Sequence, residues 1–396
     1  MTVYLDHAAT TPMRPEARAA YLDALALVGN PASIHGHGQA AKRVLENARE
    51  RVAEALDCDP IEVVWTSGGT ESINLAIKGA YWAARGARPA VVTSAGEHHA
   101  TLDTVEWLVE HAGARARSVG LDGEGRVRLD EFEAALADGL AAVASVLVVN
   151  NEVGAVQPVR GLAALAADAG VPLHLDAVSA FGHVPVSLRD TGVAAVSVSA
   201  HKIGGPVGIG ALAVSRTASL EALVHGGGQQ RGLRSGTQDV ASAAAFAAAV
   251  DASVREAAAE SSRLRELRDE LVARVRTEVM GAVLRGPEPG ATFDDAGTIV
   301  PARVDANAHF TFDGCQGDSL LFLLDLAGVS VSTGSACQAG VAEPSHVLRA
   351  MGLDERTSLG ALRFTLGAGS TRADVDRLLA VLPDAVERAR ATGYSA

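Results

Sequence analysis

From about residue 60 the chain alternates short apolar runs with longer amphipathic ones: IEVVWTS, then GTESINLAIKGAYWAARG, then AVVTS, then a helical pattern from His99 to Ala112. The runs VASVLVV, VPLHLD, VAAVSVS and GIGALAVS repeat the strand signal, with helix-like stretches before and between several of them. Near-continuous apolar strands joined through helices build a mainly parallel sheet covered by helices. A chain of 396 residues exceeds what one core usually serves, so a second unit is expected. One long helix is predicted from Val240 to about Met280, and turn residues then accumulate in RGPEPGATFDDAG. The remainder, HFTFDG, GDSLLFLLDLAG, VSVSTGSAC, LRFTLG and a helical run from Thr371 to Arg390, reads as a smaller α+β domain. The N-terminal segment is free to fold back on either unit.

The net charge of −13 excludes nucleic acid or an anionic membrane surface as the main partner, leaving small molecules or proteins. The start MTVYLDHAATTP lacks the basic opening and apolar core of a signal peptide, and no apolar run reaches spanning length, so a cytoplasmic protein is expected. Cys58, Cys315 and Cys337 are odd in number and show no CxxC spacing, which argues against a disulfide framework or a zinc site.

Almost all positive charge is arginine, for the only lysines are Lys42, Lys78 and Lys202. Lys42 in QAAKRVLENARERV and Lys78 in NLAIKGAY fall within helical patterns, as solvated helix lysines do. Lys202 follows VAAVSVS and precedes IGGPVGIG, at a strand end beside a glycine-rich turn, where open α/β sheets bind ligands. Arginine does as well on a solvated surface but cannot readily lose its proton and form a Schiff base. Lys202 is therefore a candidate for covalent chemistry, against the alternative of a surface loop lysine.

Neighbouring motifs bear on that choice. Asp176 ends VPLHLD; alone it reads as a helix cap, but beside a strand-end lysine it also suits a pyridoxal phosphate site, holding the pyridine nitrogen protonated. WTSGGTES places Ser67, Gly68, Gly69 and Thr70 where a helix N-terminus could cradle phosphate, although many strand-to-helix turns look alike. Ser199 and His201 flank the lysine as further donors, and His98 in SAGEHHATLD could stack on a cofactor or be a turn histidine. A metal at His98 and His99 is disfavoured, because adjacent residues seldom share a face and no matching acid or cysteine cluster appears. Cys337, among the small residues of STGSACQAGVAEPSH, is a candidate nucleophile, whereas Cys58 and Cys315 suit burial. Arg363, inside ALRFTLG, needs an anion: a substrate carboxylate or an internal salt bridge.

Together these residues resemble the class V aminotransferase-like, fold-type I pyridoxal phosphate enzymes, and within them the cysteine desulfurases of the NifS and IscS group. The matching motifs, in family order from Tyr4 to Gly367, are YLDHAATTP, GNPASIH, TSGGTES, EHHATLDT, VNNEVG, HLDA, SAHKIGGPVGIGAL, HGGGQQRGLRSGT, STGSAC, EPSHVLRAMG and LRFTLG. The resemblance implies an α/β fold whose large domain, residues 15–260, holds a mainly parallel seven-stranded sheet. A small α+β domain, residues 1–14 and 261–396, would carry the cysteine loop. It implies pyridoxal 5'-phosphate on Lys202, with Asp176 at the ring nitrogen, His98 on the ring face and Asn151 at the phenolic oxygen. Gly69, Thr70, Ser199 and His201 would hold the phosphate, with Thr237 reaching across from the second subunit of a homodimer. Asn30 and Arg363 would bind the carboxylate of L-cysteine, and Cys337 would take its sulfur as a persulfide, releasing L-alanine and passing the sulfur to an acceptor protein. One position departs from the pattern: Ser179 stands where the family usually has glutamine at the phenolic oxygen, and its shorter side chain would need water to make the contact. A selenocysteine lyase, a cysteine β-lyase or an ordinary aminotransferase are the rival activities.

Overall fold

The computed structural model describes residues 2–84, 86–334 and 343–392. The chain opens with β1 (Val3–Tyr4), α1 (Pro15–Leu25) and α2 (Gly36–Ala55). A seven-stranded sheet follows, built from β2 (Val63–Thr66), β3 (Ala90–Ser94), β4 (Arg115–Val119), β5 (Ala141–Leu147), β6 (Leu173–Asp176), β7 (Ala195–Ser199) and β8 (Gly210–Val214). Its spatial order is β2-β8-β7-β6-β5-β3-β4, and only β8 runs against its neighbours. Between the strands lie α3 (Gly69–Ala84), α4 (His99–Ala112), α5 (Leu129–Leu136), α6 (Val159–Asp168) and α7 (Leu188–Thr191). Every residue of β2, β3, β5, β6, β7 and β8 is buried, as expected for strands covered on both faces. The edge strand β4 reads RARSV and is mostly open to solvent, its arginines guarding the unpaired edge.

Two apolar cores result. The first surrounds the large sheet, and the second packs the antiparallel sheet β14-β12-β9 against helices, with β9 (Ala282–Arg285), β12 (Asn307–Phe312) and β14 (Ala361–Thr365). The predicted long helix exists as α8 (Val240–Glu278) and enters both: Ala243, Phe246 and Val250 lie in the first core, Leu264, Leu271 and Val275 in the second. Its alanine-rich first half lets it lie close against α1 and α2. The turn-rich stretch turns out to hold a hairpin of β10 (Thr292–Asp295) and β11 (Thr298–Pro301). Ala296 and Gly297 at its tip take φ of 49° and 86°, the left-handed pair that a two-residue hairpin requires. Then come α9 (Gly317–Leu326), β13 (Val329–Ser330), α10 (His346–Ala350), α11 (Glu355–Leu359) and α12 (Arg372–Thr392).

The N-terminal segment joins the second core, because β1 pairs in parallel with β13. It then crosses to the first: Thr11 bonds the His201 carbonyl through both its N–H and its hydroxyl, and the Arg14 N–H donates to the Gly204 carbonyl. Among the described residues no helix is long and apolar enough to cross a membrane.

Phe246 is fully buried, with its ring edge-on to Trp65 at 6.0 Å. Phe246→Ala should destabilise the fold by about 3–5 kcal/mol, measured by urea unfolding; a loss below about 1 kcal/mol would mean that α8 is not packed this way.

Candidate active site

Four parallel strands, β3, β5, β6 and β7, together with β2, deliver their carboxyl ends to one edge of the sheet. The turns leaving that edge carry Gly69, His98, Asn151, Ser179 and Lys202. Ligands of open α/β sheets bind at such an edge. Here a single cavity is lined by Gly69, Thr70, His98, Asn151, Asp176, Ser179, His201, Lys202 and Arg363, which brings together most of the residues singled out from sequence.

Lys202 closes a short turn after β7 and lies low in the cavity. Its Nζ donates to the carbonyl oxygens of Ala8 and of Ala9, the latter at 3.2 Å. With carbonyl partners only among the described residues, the ammonium is poorly compensated; burial, helped by the charge of Arg363, pushes it down to about 8 against Asp176 and Asp6. Asp176 ends β6, and its Oδ1 accepts from the Val178 N–H at 2.9 Å. Burial pushes this carboxyl up to about 6, although the Val178 N–H and the Lys202 charge favour its ionised form.

The turn from β2 into α3 is tight for stated reasons. Gly68 takes φ +150°, and a Cβ on Gly69 would come within 2.7 Å of Val178 Cγ2. Beneath it, a Cβ on Gly210 of β8 would meet the Val198 carbonyl oxygen at 2.6 Å and Gly68 backbone at 2.8 Å. The Glu71 carboxylate, paired with Arg234 at 2.8 Å, accepts from the Ser67 N–H at 2.7 Å and pins the turn from outside. The first-turn N–H groups of α3 are thus left facing the cavity, with Ser199 buried behind them. His201 Nδ1 lies 3.2 Å from Thr10 Oγ1, and burial with the Lys202 charge pushes the imidazole down to about 4.

His98 caps α4, its Nδ1 accepting from the Ala100 N–H at 3.0 Å. The surrounding wall desolvates the ring, and Lys202 adds repulsion, so it is pushed down to about 4 and stays neutral. With Nδ1 committed to the cap, the proton sits on Nε2. Arg363, in β14, donates to the Asn151 carbonyl at 2.8 Å and to Asp6 Oδ1 at 2.9 Å. The internal salt bridge therefore exists, while the buried Nε has no partner among the described residues.

Ser199, at the end of β7, is buried and does not line this cavity, and two further residues named from sequence lie apart from it. Asn30 is exposed, with its Oδ1 accepting from the Ala32 N–H at 2.9 Å, and Thr237 is exposed on the loop before α8. Cys337 lies outside the described residues, though Gly334, three positions earlier, lines the cavity. Sequence reasoning overlooked Glu97, Glu152 and His346. Glu97 is fully buried, accepting from Ser94 Oγ at 2.5 Å and from the Leu147 N–H at 3.2 Å, and burial pushes it up to about 8. Both acids have polar neighbours in sequence, in GEHH and NNEVG, so no local pattern marked them as buried. The geometry fits pyridoxal phosphate: a glycine turn that a Cβ would fill, a buried carboxylate across the cavity, and an amine without an anionic partner.

Residues 3–378 match the family model described as aminotransferase class-V. The chain is 48% identical to the IscS-like cysteine desulfurase of Mycobacterium tuberculosis over 99% of its own length and 98% of that protein. It is 38% identical to the cysteine desulfurase IscS of Dictyoglomus turgidum, over 98% and 95% of the two chains. Among solved structures, a NifS-like protein superposes with a TM-score of 0.88 at 32% identity, covering 98% of this chain and all of that one.

The lowered basicity of Lys202 gives a direct test, since only the neutral amine is a nucleophile. In the cofactor-free protein, acetylation of Lys202 followed peptide by peptide should rise through a midpoint near pH 8; a midpoint at about 10 or above, the ordinary lysine range, would contradict the geometry.

Proposed function

Because the chain belongs to the class-V aminotransferase family and is a cysteine desulfurase that works with pyridoxal 5'-phosphate, we propose that Lys202 carries the cofactor and, once freed by the amino group of L-cysteine, moves the substrate's Cα proton. The observation that carries this assignment is the Lys202 amine itself, held by carbonyls alone in the cavity that Asp176 and the Gly69 turn also line. When bound, the cofactor supplies the electron sink that stabilises negative charge at Cα.

The chain's own residues do the rest. Asp176 would pair with the ring nitrogen and favour its protonated form, and His98, neutral and fixed by its capping bond, would stack on the ring. Asn151 and, through water, Ser179 serve the phenolic oxygen. Gly69, Thr70, Ser199 and His201 hold the phosphate, with Thr237 from a second subunit. Arg363, clamped by Asn151 and Asp6, orients the substrate carboxylate with Asn30. Cys337 attacks the substrate sulfur: its S–S bond forms as the substrate C–S bond breaks, leaving a persulfide, and protonation of the remaining carbon skeleton gives L-alanine. The persulfide then passes to an acceptor protein serving iron–sulfur cluster, thiolated tRNA, cofactor or DNA phosphorothioate synthesis, in the cytoplasm. The second core lies wholly within residues 1–14 and 261–396, which supports a small domain of that span beside a cofactor-binding domain of residues 15–260, although Val304, Val347, Leu348, Met351 and Ala361 pack into the first core. A homodimer is supported by exposed apolar residues at the end of α1 and beyond, Leu22, Leu25, Val28 and Ile34, and by the outward position of Thr237.

Purified enzyme given L-cysteine and a reductant should release sulfide and alanine in equal amounts over many turnovers. Pyruvate in place of alanine would indicate a β-lyase. Cys337→Ser should abolish cysteine turnover, and retained turnover would remove the persulfide route and favour selenocysteine lyase chemistry. Lys202→Ala should lower turnover by about 10³-fold or more.

A further inference from the structure

Glu97 is a fully buried acid that the proposed chemistry leaves without a role. It belongs to the turn that leads from β3 to His98, and the hydrogen-bond pattern of the sheet shows what its side chain does there. The N–H groups of Ala144, in β5, and of Val148, just past it, donate to the Pro172 and Asp176 carbonyls on the β6 side. Alternation turns the Leu147 N–H the other way, toward β3. Pairing of β3 with β5 has ended by then, at Thr93 and Ser145, because β3 stops at Ser94 and the chain leaves the sheet. The Glu97 carboxyl fills the gap: Oε1 accepts from the Leu147 N–H at 3.2 Å and from Ser94 Oγ at 2.5 Å, and so joins the ends of two strands that have parted. Leu147 is the residue of β5 that pairs with Asp176 of β6.

Two further bonds hold the same turn. Asn150 Nδ2 donates to the Gly96 carbonyl at 3.1 Å, and His346 Nε2, from α10, donates to the Glu97 carbonyl at 2.9 Å. The turn is thereby tied to β3, β5 and α10 immediately before His98 caps α4. The donors to the carboxyl group itself are unevenly shared. Oε1 takes both, while Oε2 is buried with no partner among the described residues. An ionised carboxylate spreads its charge over both oxygens and needs donors at each, so one dry oxygen makes the charged form costly, and a proton on the group removes that charge. Burial acts in the same direction, as does the charge of Asp176 approaching from β6, and against the Ser94 and Leu147 bonds they push Glu97 up to about 8.

We propose that Glu97 is a positioning residue that works as an uncharged carboxylic acid: it closes the split between β3 and β5, seats the turn that carries His98, and leaves Asp176 as the carboxylate that pairs with the cofactor ring. The proposal rests on the reading of His98 and Asp176 as ring contacts.

Glu97→Gln is the informative variant, since its amide oxygen still accepts from Ser94 and Leu147 and the group is neutral at every pH. In the cofactor-loaded enzyme at pH 7, the infrared difference between parent and Glu97→Gln should contain the carbonyl band of a protonated carboxylic acid. Carboxylate bands in its place would overturn the proposal. Glu97→Ala, which removes the acceptor, should weaken the visible circular dichroism of the bound cofactor and lower kcat for L-cysteine by about 10²-fold, as expected when a group at the reacting centre is displaced. Glu97→Gln should recover both to within about fivefold of the parent, the scale of one altered neutral hydrogen bond. A fall with Glu97→Gln as deep as with Glu97→Ala would mean that the site uses the charge, and unchanged dichroism and turnover in Glu97→Ala would mean that nothing is positioned; either result overturns the proposal. Should Glu97→Ala fail to fold, the infrared band and the turnover of Glu97→Gln decide by themselves. His98→Ala, run alongside, isolates the underlying reading: if its dichroism and turnover stay those of the parent, the assignment of His98 is what has failed.

Discussion

The structure depends on strands that end together. When β3, β5, β6 and β7 run in parallel, the turn leaving each must emerge at the same edge, and β8, antiparallel between β7 and β2, restores that direction for the strand that precedes the glycine turn. Polar groups that would be costly anywhere in a buried sheet are thereby gathered where a ligand can use them. Asp176 and Lys202 are each the product of a local event, one the last residue of a strand and the other the close of a short turn. The fold makes them neighbours, and the shared desolvation moves both from their ordinary ionisation toward neutrality. A carboxyl pushed up and an amine pushed down across one cavity form a site unsatisfied until something cationic at one end and electrophilic at the other is bound.

Much of this was legible in the residues. Fully covered strands are near-continuously apolar with a few small or polar residues, so β2, β3 and β5 to β8 announced themselves, and the rarity of lysine gave Lys202 weight before any geometry. Where the signal failed, the physics differs. The edge strand β4 buries only Val119 and is otherwise held by backbone pairing and by Arg117, which bonds the Ala135 carbonyl and Asp138, so RARSV carries no apolar pattern to find. The hairpin β10–β11 hid among turn residues because two short exposed strands need little burial. Its Asp295 nonetheless reaches back to accept from the Arg160 and Gly161 N–H groups at the start of α6, a contact between distant segments that no local pattern encodes.

The same limit applies within the site. Glu97 and Glu152 are acids beside polar neighbours in GEHH and NNEVG, silent about their burial and about their partners, which arrive from β5 and the start of α10. Arg363 left two readings open, and the structure supplies the salt bridge to Asp6 while leaving Nε unused, so an internal anion and an incoming one are not exclusive. Asn30 and Thr237 lie away from this chain's cavity, exposed on the loop after α1 and on the loop before α8.

The continuity of α8 has a mechanical consequence. A helix that contributes side chains to both cores offers no slack joint between them: rotating one core against the other would bend or break a run of backbone hydrogen bonds that extends from Val240 to Glu278. The domain boundary near residue 260 falls in the middle of a beam. Neither half can be removed without stripping the other of an apolar wall, and the protein is one object to a protease or a shear force even where its chain reads as two.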